Sequence, residues 1–268
     1  MKILVTGGCG YKGSVLVPKL LKQHHDVVVV DTQWFGNFLE SSPQLHVIQG
    51  DIRYPQDEWF QDVDTIIHLA SVANDPCADL EPKLSWETSA LGTLLLAEKA
   101  IAHGIKKVIY ASSGSVYGIS DEPKVDETTP LNPISDYNKA KMVAERVLLS
   151  YADKIIIQII RPATVCGYSP RMRLDVSVNM LTMQALTKGE ITVFGGDQTR
   201  PNIHIDDITD LYVGLLNNDT AGIFNAGFEN ISINDIAKMV QAHQPATIKV
   251  TPSNDPRSYR LSRTRICH

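Results

Sequence analysis

Short β-branched runs alternate with amphipathic stretches along the first two thirds of the chain. The runs are Ile3 to Thr6, Val27 to Asp31, His46 to Gln49, Thr65 to Leu69, Lys107 to Ala111 and Ile155 to Ile160. Runs of this kind read as strands covered on both faces. Between them, residues 11 to 23, 86 to 103 and 135 to 151 space their apolar positions by three and four, which predicts helices. Strand-helix alternation predicts an α/β fold with a doubly wound parallel sheet.

From about residue 162 the character changes, with Pro162, Pro170, Gly195, Gly196 and Pro201 punctuating shorter elements. A smaller C-terminal lobe is expected there. Asp206-Asp207, followed by Ile208, Leu211, Tyr212 and Leu215, predicts an N-capped helix that returns to the main domain. The expected division is therefore 1–161 with 201–226 as the main domain, and 162–200 with 227–268 as the substrate lobe. Neither an internal repeat nor a low-complexity tract interrupts this organisation.

With 268 residues, 43% of them hydrophobic, the chain can bury a sizeable core. Lys and Arg number 25 against 30 Asp and Glu, a formal charge of -5, and no block of like charge points to nucleic acid or to an anionic membrane as partner. The four cysteines, Cys9, Cys77, Cys166 and Cys267, form no C-x-x-C pair, so neither a zinc site nor a disulfide framework is suggested. The apolar run after Lys2 is too short for a signal peptide, and no later stretch is long enough to cross a bilayer. A cytoplasmic location is the expectation.

Thr6-Gly7-Gly8-Cys9-Gly10-Tyr11-Lys12-Gly13 follows the first predicted strand and opens the first predicted helix. Glycines at 7, 10 and 13 permit a tight turn and bring backbone N–H groups against a pyrophosphate. Such a loop alone is also compatible with an ordinary glycine-rich turn. The second strand, however, ends in Asp31, where a dinucleotide-binding (Rossmann) fold places the acid that accepts hydrogen bonds from a ribose. The same carboxylate would repel a 2'-phosphate, and residues 32 to 37 contain no Arg or Lys to neutralise one. NAD is therefore expected as cofactor, in preference to NADP. Asp51, after the third strand, has two open readings: an acceptor for the adenine amine, or a solvated loop aspartate.

Tyr137 and Lys141 stand four apart on a predicted helix and so share a face. Bringing a phenol from a pKa of about 10 to neutrality requires about 4 kcal/mol, and an ammonium ~4 Å away contributes a term of that order at an effective dielectric of 20. Lys141 is expected to supply it. Ser112-Ser113-Gly114-Ser115 follows the fifth strand, at the carboxyl edge where doubly wound sheets bind ligands. No metal is expected: His68 and His204 lack ligand spacing and read as packed or hydrogen-bonding residues.

These pieces, with Gly50-Asp51-Ile52-Arg53, His68-Leu69-Ala70, Gly92-Thr93, Tyr137-Asn138-Lys139-Ala140-Lys141, Arg161-Pro162 and His204-Ile205-Asp206-Asp207, occur in order along nearly the whole chain. In them the chain resembles the extended short-chain dehydrogenase/reductases of the nucleotide-sugar epimerase/dehydratase family. The resemblance implies that Ser113, Tyr137 and Lys141 are catalytic. It implies that Gly7, Gly10, Tyr11, Lys12, Gly13, Asp31, Asp51, Ile52, Leu69, Ala70, Ser71 and Lys141 hold NAD. For the nucleotide-sugar substrate it implies Ser113, Ser115, Thr164, Arg200 and Arg257, and for the assembly a homodimer.

The chain also departs from the family. Gly114 and Ser115 stand where its 4,6-dehydratases carry Asp-Glu, Ser89 replaces an asparagine, and Thr164 replaces the asparagine that follows Arg-Pro. Relatives usually continue beyond the position of Arg257, so a truncated substrate lobe with an uncovered apolar face is expected. The leading reading is an epimerase that transiently oxidises a sugar hydroxyl, at C4. Its rivals are a 4-dehydrogenase or reductase with net hydride transfer, and a non-catalytic NAD-binding module.

Overall fold

The computed structural model describes residues 1–119 and 125–252. Arg257, expected at the substrate, and Cys267 lie outside the described residues. In chain order the strands are β1 (Lys2–Thr6), β2 (Asp26–Asp31), β3 (Leu45–Gln49), β4 (Thr65–His68), β5 (Lys107–Ala111), β6 (Ile156–Pro162), β7 (Thr164–Cys166), β8 (Glu190–Phe194), β9 (Thr199–His204), β10 (Gly222–Ala226), β11 (Glu229–Ser232) and β12 (Thr247–Thr251). The helices are α1 (Gly13–Lys22), α2 (Asp75–Leu80), α3 (Pro82–Trp86), α4 (Gly92–Ala102), α5 (Asp136–Leu149), α6 (Ser177–Lys188), α7 (Ile205–Leu215) and α8 (Ile233–His243).

Seven strands form one parallel sheet in the order β10-β6-β5-β4-β1-β2-β3. The direction of winding reverses between β1 and β4, the crevice where doubly wound sheets take their ligands. The valine run of β2 shows why these strands carry no alternation. Val27 and Val29 join Ile3, Val5, Leu16 and Leu20 in one core, while Val28 and Val30 join Leu4, Ile66, Leu96 and Leu148 in the other. Helices α1 and α7 pack together, and Lys19 on α1 pairs with Asp210 on α7 at 2.7 Å. Buried Lys107 at the start of β5 donates to the carbonyls of Leu215, Leu216 and Asn218 and so satisfies the end of α7.

A third core, built from Leu181, Ile191, Val193, Ile236 and Val240, joins α6, β8 and α8. Strands β7, β9 and β11 make a three-stranded sheet, and β12 pairs with β8. Residues 199–204 form a strand of the three-stranded sheet, directly ahead of α7. Two elements differ from expectation. The cap of α7 is His204, whose Nδ1 accepts from the Asp206 N–H at 3.2 Å, in place of the aspartates that follow it. The helix expected over 86–103 is composite: α3 and α4 are joined by a wider π turn at Glu87–Leu91. Its i→i+5 geometry leaves no trace in a three-and-four apolar pattern.

Candidate active site

The chain turns from β1 into α1 through Gly7 to Gly13. Gly7 has a φ of +73°, and a Cβ there would come within 2.7 Å of the Ala70 nitrogen. A Cβ on Gly13 would lie 2.3 Å from the Gly8 carbonyl oxygen. Glycine at these two places is what lets the loop fold on itself and lie against residues 69–71 after β4. Leu69 N–H donates to Thr6 O at 2.9 Å, and the Ser71 and Ser89 hydroxyls stand 3.0 Å apart. His68 is internal, bonded to Thr6 and Thr93, and is pushed down to about 3 by burial and then Lys141.

Asp31 closes the other side. Its carboxylate accepts from Cys9 N–H at 3.0 Å and from Gln33 N–H at 2.7 Å, which ties the end of β2 to the glycine loop. Burial raises its pKa above the usual carboxylate range, against these bonds and the Arg171 charge. Asp51 is held by Arg53. Arg53 grips its carboxylate through Nη2 at 2.7 Å and Nε at 3.0 Å, and reaches Glu87 at 2.9 Å. Burial opposes ionisation of Asp51, but the Arg53 contacts outweigh it and hold the pKa low. Ile52 is buried against Gly92, where any Cβ would meet it at 2.9 Å.

Ser113 follows β5 and caps the 3-10 turn Gly114–Tyr117. Its hydroxyl lies 2.7 Å from that of Ser115, which donates to Asn138 Oδ1. Helix α5 begins at a Ser135 cap and presents Tyr137, Lys141 and Glu145, each four residues after the last, along one stripe toward β5 and β6. The Tyr137 phenol lies near Ser113, which acts to lower its pKa. Lys141, 2% exposed, donates to Ala111 O at 2.8 Å, and its Nζ lies 4.9 Å from the Tyr110 ring centre. Glu145 accepts from Ser112 and pairs with Arg161 at 2.6 Å, and Arg161 also donates to Tyr117 at 2.9 Å.

Burial raises the Tyr137 pKa, and the charge that opposes this most is Arg173, followed by Ser113. The Lys141 stem carries its ammonium to the β5 carbonyl, where burial and then Lys12 push it down to about 7. Arg173 itself comes from the loop after β7 and pairs with Asp175. Asn179 fixes that loop by donating to Arg173 O at 2.9 Å and to the Tyr11 hydroxyl at 3.1 Å, and Tyr11 donates to Gly167 O at 2.7 Å. Asn179 and Glu145 carry no motif in the chain, and only the Arg171-Met172-Arg173 pair after Pro170 marks Arg173.

The glycine loop, Asp31, residues 69–71, Ser113, Ser115, Tyr137 and Lys141 thus gather at the carboxyl edge of the parallel sheet. Thr164 and Arg200 lie instead on β7 and β9 of the three-stranded sheet, in register with Asn202 and Ile231. The groove suits a dinucleotide. Helix α1 starts with no side-chain cap and no acid in its first turn, which leaves its positive end for a phosphate. Lys12, pushed down to about 8 by burial and then Arg173, adds positive charge beside it.

A family profile described as NAD dependent epimerase/dehydratase family matches residues 3–227. The chain is 32% identical over 223 residues to a putative UDP-glucose 4-epimerase of Methanocaldococcus jannaschii, covering 80% of this chain and 73% of that protein. Among solved structures, a UDP-glucuronic acid 4-epimerase from Bacillus cereus, in complex with UDP-glucuronic acid and NAD, matches with a TM-score of 0.87 at 30% identity. That match covers 98% of this chain and 90% of the other. An NAD-dependent NDP-hexosamine 5,6-dehydratase of tunicamycin biosynthesis matches with a TM-score of 0.90 at 26% identity, covering 97% and 88%. With NAD as its cofactor, a Rossmann sheet and a profile match across most of its length, the chain belongs to the NAD-dependent epimerase/dehydratase family.

Proposed function

We propose that the protein is a nucleotide-sugar epimerase that inverts a sugar carbon, C4, by transient oxidation of its hydroxyl. The observation that carries this reading is the meeting of Tyr137 and Ser113 at the carboxyl edge of the sheet, one helical turn from a buried lysine and beside the glycine loop. NAD, when bound, supplies the hydride acceptor and later the hydride. Ser113, its hydroxyl fixed by Ser115 and through it by Asn138, orients the sugar hydroxyl. Tyr137 takes the hydroxyl proton and returns it after the sugar has turned over. Arg173 favours the ionised phenol, and Lys141, which here donates to Ala111 O, is the residue assigned to the nicotinamide ribose. Gly114 and Ser115 supply no carboxyl group of the kind that drives loss of water, which favours epimerisation over dehydration.

Arg173 deepens the reading. A guanidinium that acts on the phenol favours a sugar carrying negative charge close to the reacting carbon, such as a uronate. The test is NMR of a panel of nucleotide sugars, neutral and uronic, incubated with holoenzyme in deuterated water. Epimerisation yields the C4 epimer with its carbon-bound hydrogen unexchanged and no net NADH. Accumulating NADH establishes the dehydrogenase instead, and deuterium at C5 establishes a dehydratase-like path. Within the panel, Arg173→Ala is expected to raise KM for a uronate about 10- to 100-fold and to spare neutral sugars. Equal effects on both remove the uronate assignment.

A further inference from the structure

The loop that carries Arg173 also carries Arg171, and its base is tied to the glycine loop. Tyr11 donates to Gly167 O at 2.7 Å, and Ser169 donates to Tyr11 O at 2.8 Å. From this anchored base Arg171 reaches the opposite wall of the groove. Its guanidinium carbon stands 3.9 Å from the centre of the Phe35 ring, in the segment after β2. Phe35 is 64% exposed, so core packing does not account for its position. The same guanidinium acts on the Asp31 carboxylate, after burial and the Gln33 and Cys9 bonds, and Asp31 acts on it in turn, after burial, Arg173, Asp175 and Cys77. One side chain thus links three places: the loop bound to Tyr11, the aromatic beyond β2, and the acid that takes the adenosine ribose.

We propose that Arg171 and Phe35 form a clasp across the dinucleotide groove, retaining NAD at its adenosine ribose and adjoining phosphates, and that opening of this clasp sets the rate of cofactor exchange. A guanidinium suits the task because it stacks flat on an aromatic ring and still presents N–H donors at its edge to phosphate oxygens. It also explains how an arginine stands near Asp31 although residues 32 to 37 contain none: it arrives from a loop about 140 positions further along the chain. An enzyme that regenerates its cofactor in every turnover gains from slow release, because lost NAD must be replaced before the next cycle.

The test measures NAD release without any sugar, so its result does not depend on which sugar is turned over. Holoenzyme loaded with NADH is mixed with excess NAD, and the loss of bound-NADH fluorescence is followed by stopped flow. Arg171→Ala is expected to speed release about tenfold, Phe35→Ala severalfold, and the double variant no more than Arg171→Ala alone, because both remove one interaction. Arg171→Lys, which keeps the charge but not the planar stack, should fall between wild type and Arg171→Ala. Phe35→Leu provides a second disruption of the same contact should Arg171→Ala fail to fold. Release rates unchanged in the Arg171 and Phe35 variants overturn the clasp, as do effects that add in full. A wild-type preference for NADP that vanishes in Arg171→Ala also overturns it, since Arg171 would then be a receptor for the 2'-phosphate.

Discussion

Glu145 is the position at which the architecture of the site can be tested most sharply. Its carboxylate is 1% exposed and pairs with Arg161, 3% exposed, through contacts of 2.6 and 3.0 Å, with Ser112 donating to the same group. Glu145→Met removes one charge and leaves a buried guanidinium that still donates to the Tyr117 hydroxyl. Breaking a buried pair in this way costs about 3–5 kcal/mol. Because domains have only about 5–15 kcal/mol in hand, the loss is a large fraction of the total. At about 2–4 °C per kcal/mol for a chain of this size, the melting temperature should fall by roughly 6–20 °C. The assay is thermal and urea unfolding of wild type, Glu145→Met, Arg161→Met and the double variant. The double variant should recover much of the single losses, because two apolar side chains replace a desolvated pair. Single losses under about 1 kcal/mol, or a double loss equal to their sum, would refute the account. A functional consequence accompanies the loss. Glu145 opposes the burial that depresses Lys141, so without it the ammonium survives only at lower pH, and the pH profile of NAD binding should move toward acid.

Other outcomes follow from the same geometry. Tyr137→Phe should abolish hydride transfer, a loss of at least about 10²-fold, while NAD affinity by calorimetry stays nearly unchanged; full activity would remove the phenol from the mechanism. Gly13→Ala should prevent the loop from closing, since the added carbon meets Gly8 backbone at 2.3–2.5 Å, and NAD binding should fall below detection with the sheet still folded by circular dichroism. Lys141 titrates near 7 when folded and near 10.5 when unfolded. The unfolded chain therefore binds the extra proton between those values, and the native-state penalty is complete below about pH 7 and fades as the pH rises. In cofactor-free protein, the stability gained by Lys141→Met over wild type should be greatest at pH 6 and shrink toward pH 9, with a slope of up to about 1.4 kcal/mol per pH unit. A gain independent of pH would contradict this placement of the lysine.

The legible parts of the fold are those written in local pattern. The valine run of β2, continuous because both faces are covered, gives a sheet strand and the place of Asp31. Helix α5 is marked by its apolar spacing, and with it come Tyr137 and Lys141. Less legible is where a long side chain ends: spacing puts Lys141 beside Tyr137, yet its ammonium finds the Ala111 carbonyl. Arg53, two residues from Asp51, shows the same limit, because the bidentate grip depends on a turn that composition does not encode. Least legible are Arg171 and Arg173, whose partners Phe35, Asp31 and Tyr137 are remote in the chain, so that only the closure of the loop after β7 brings them together.

The π turn at Glu87–Leu91 gives the wall of the site an unusual tolerance. It holds one residue more than a regular helix needs, and each residue of a helix turns the chain by about 100°. On one side of it Trp86 donates to Asp136 at 3.4 Å, within it Ser89 meets Ser71, and on the other side Thr93 meets His68. Losing a single residue such as Ala90 would leave an uninterrupted α-helix that can still cover the sheet. Its leading end, however, would swing Trp86 away from α5 and loosen the wall before the helix that bears Tyr137. At this one place, then, shortening the chain separates the ability to fold from the ability to shape a pocket.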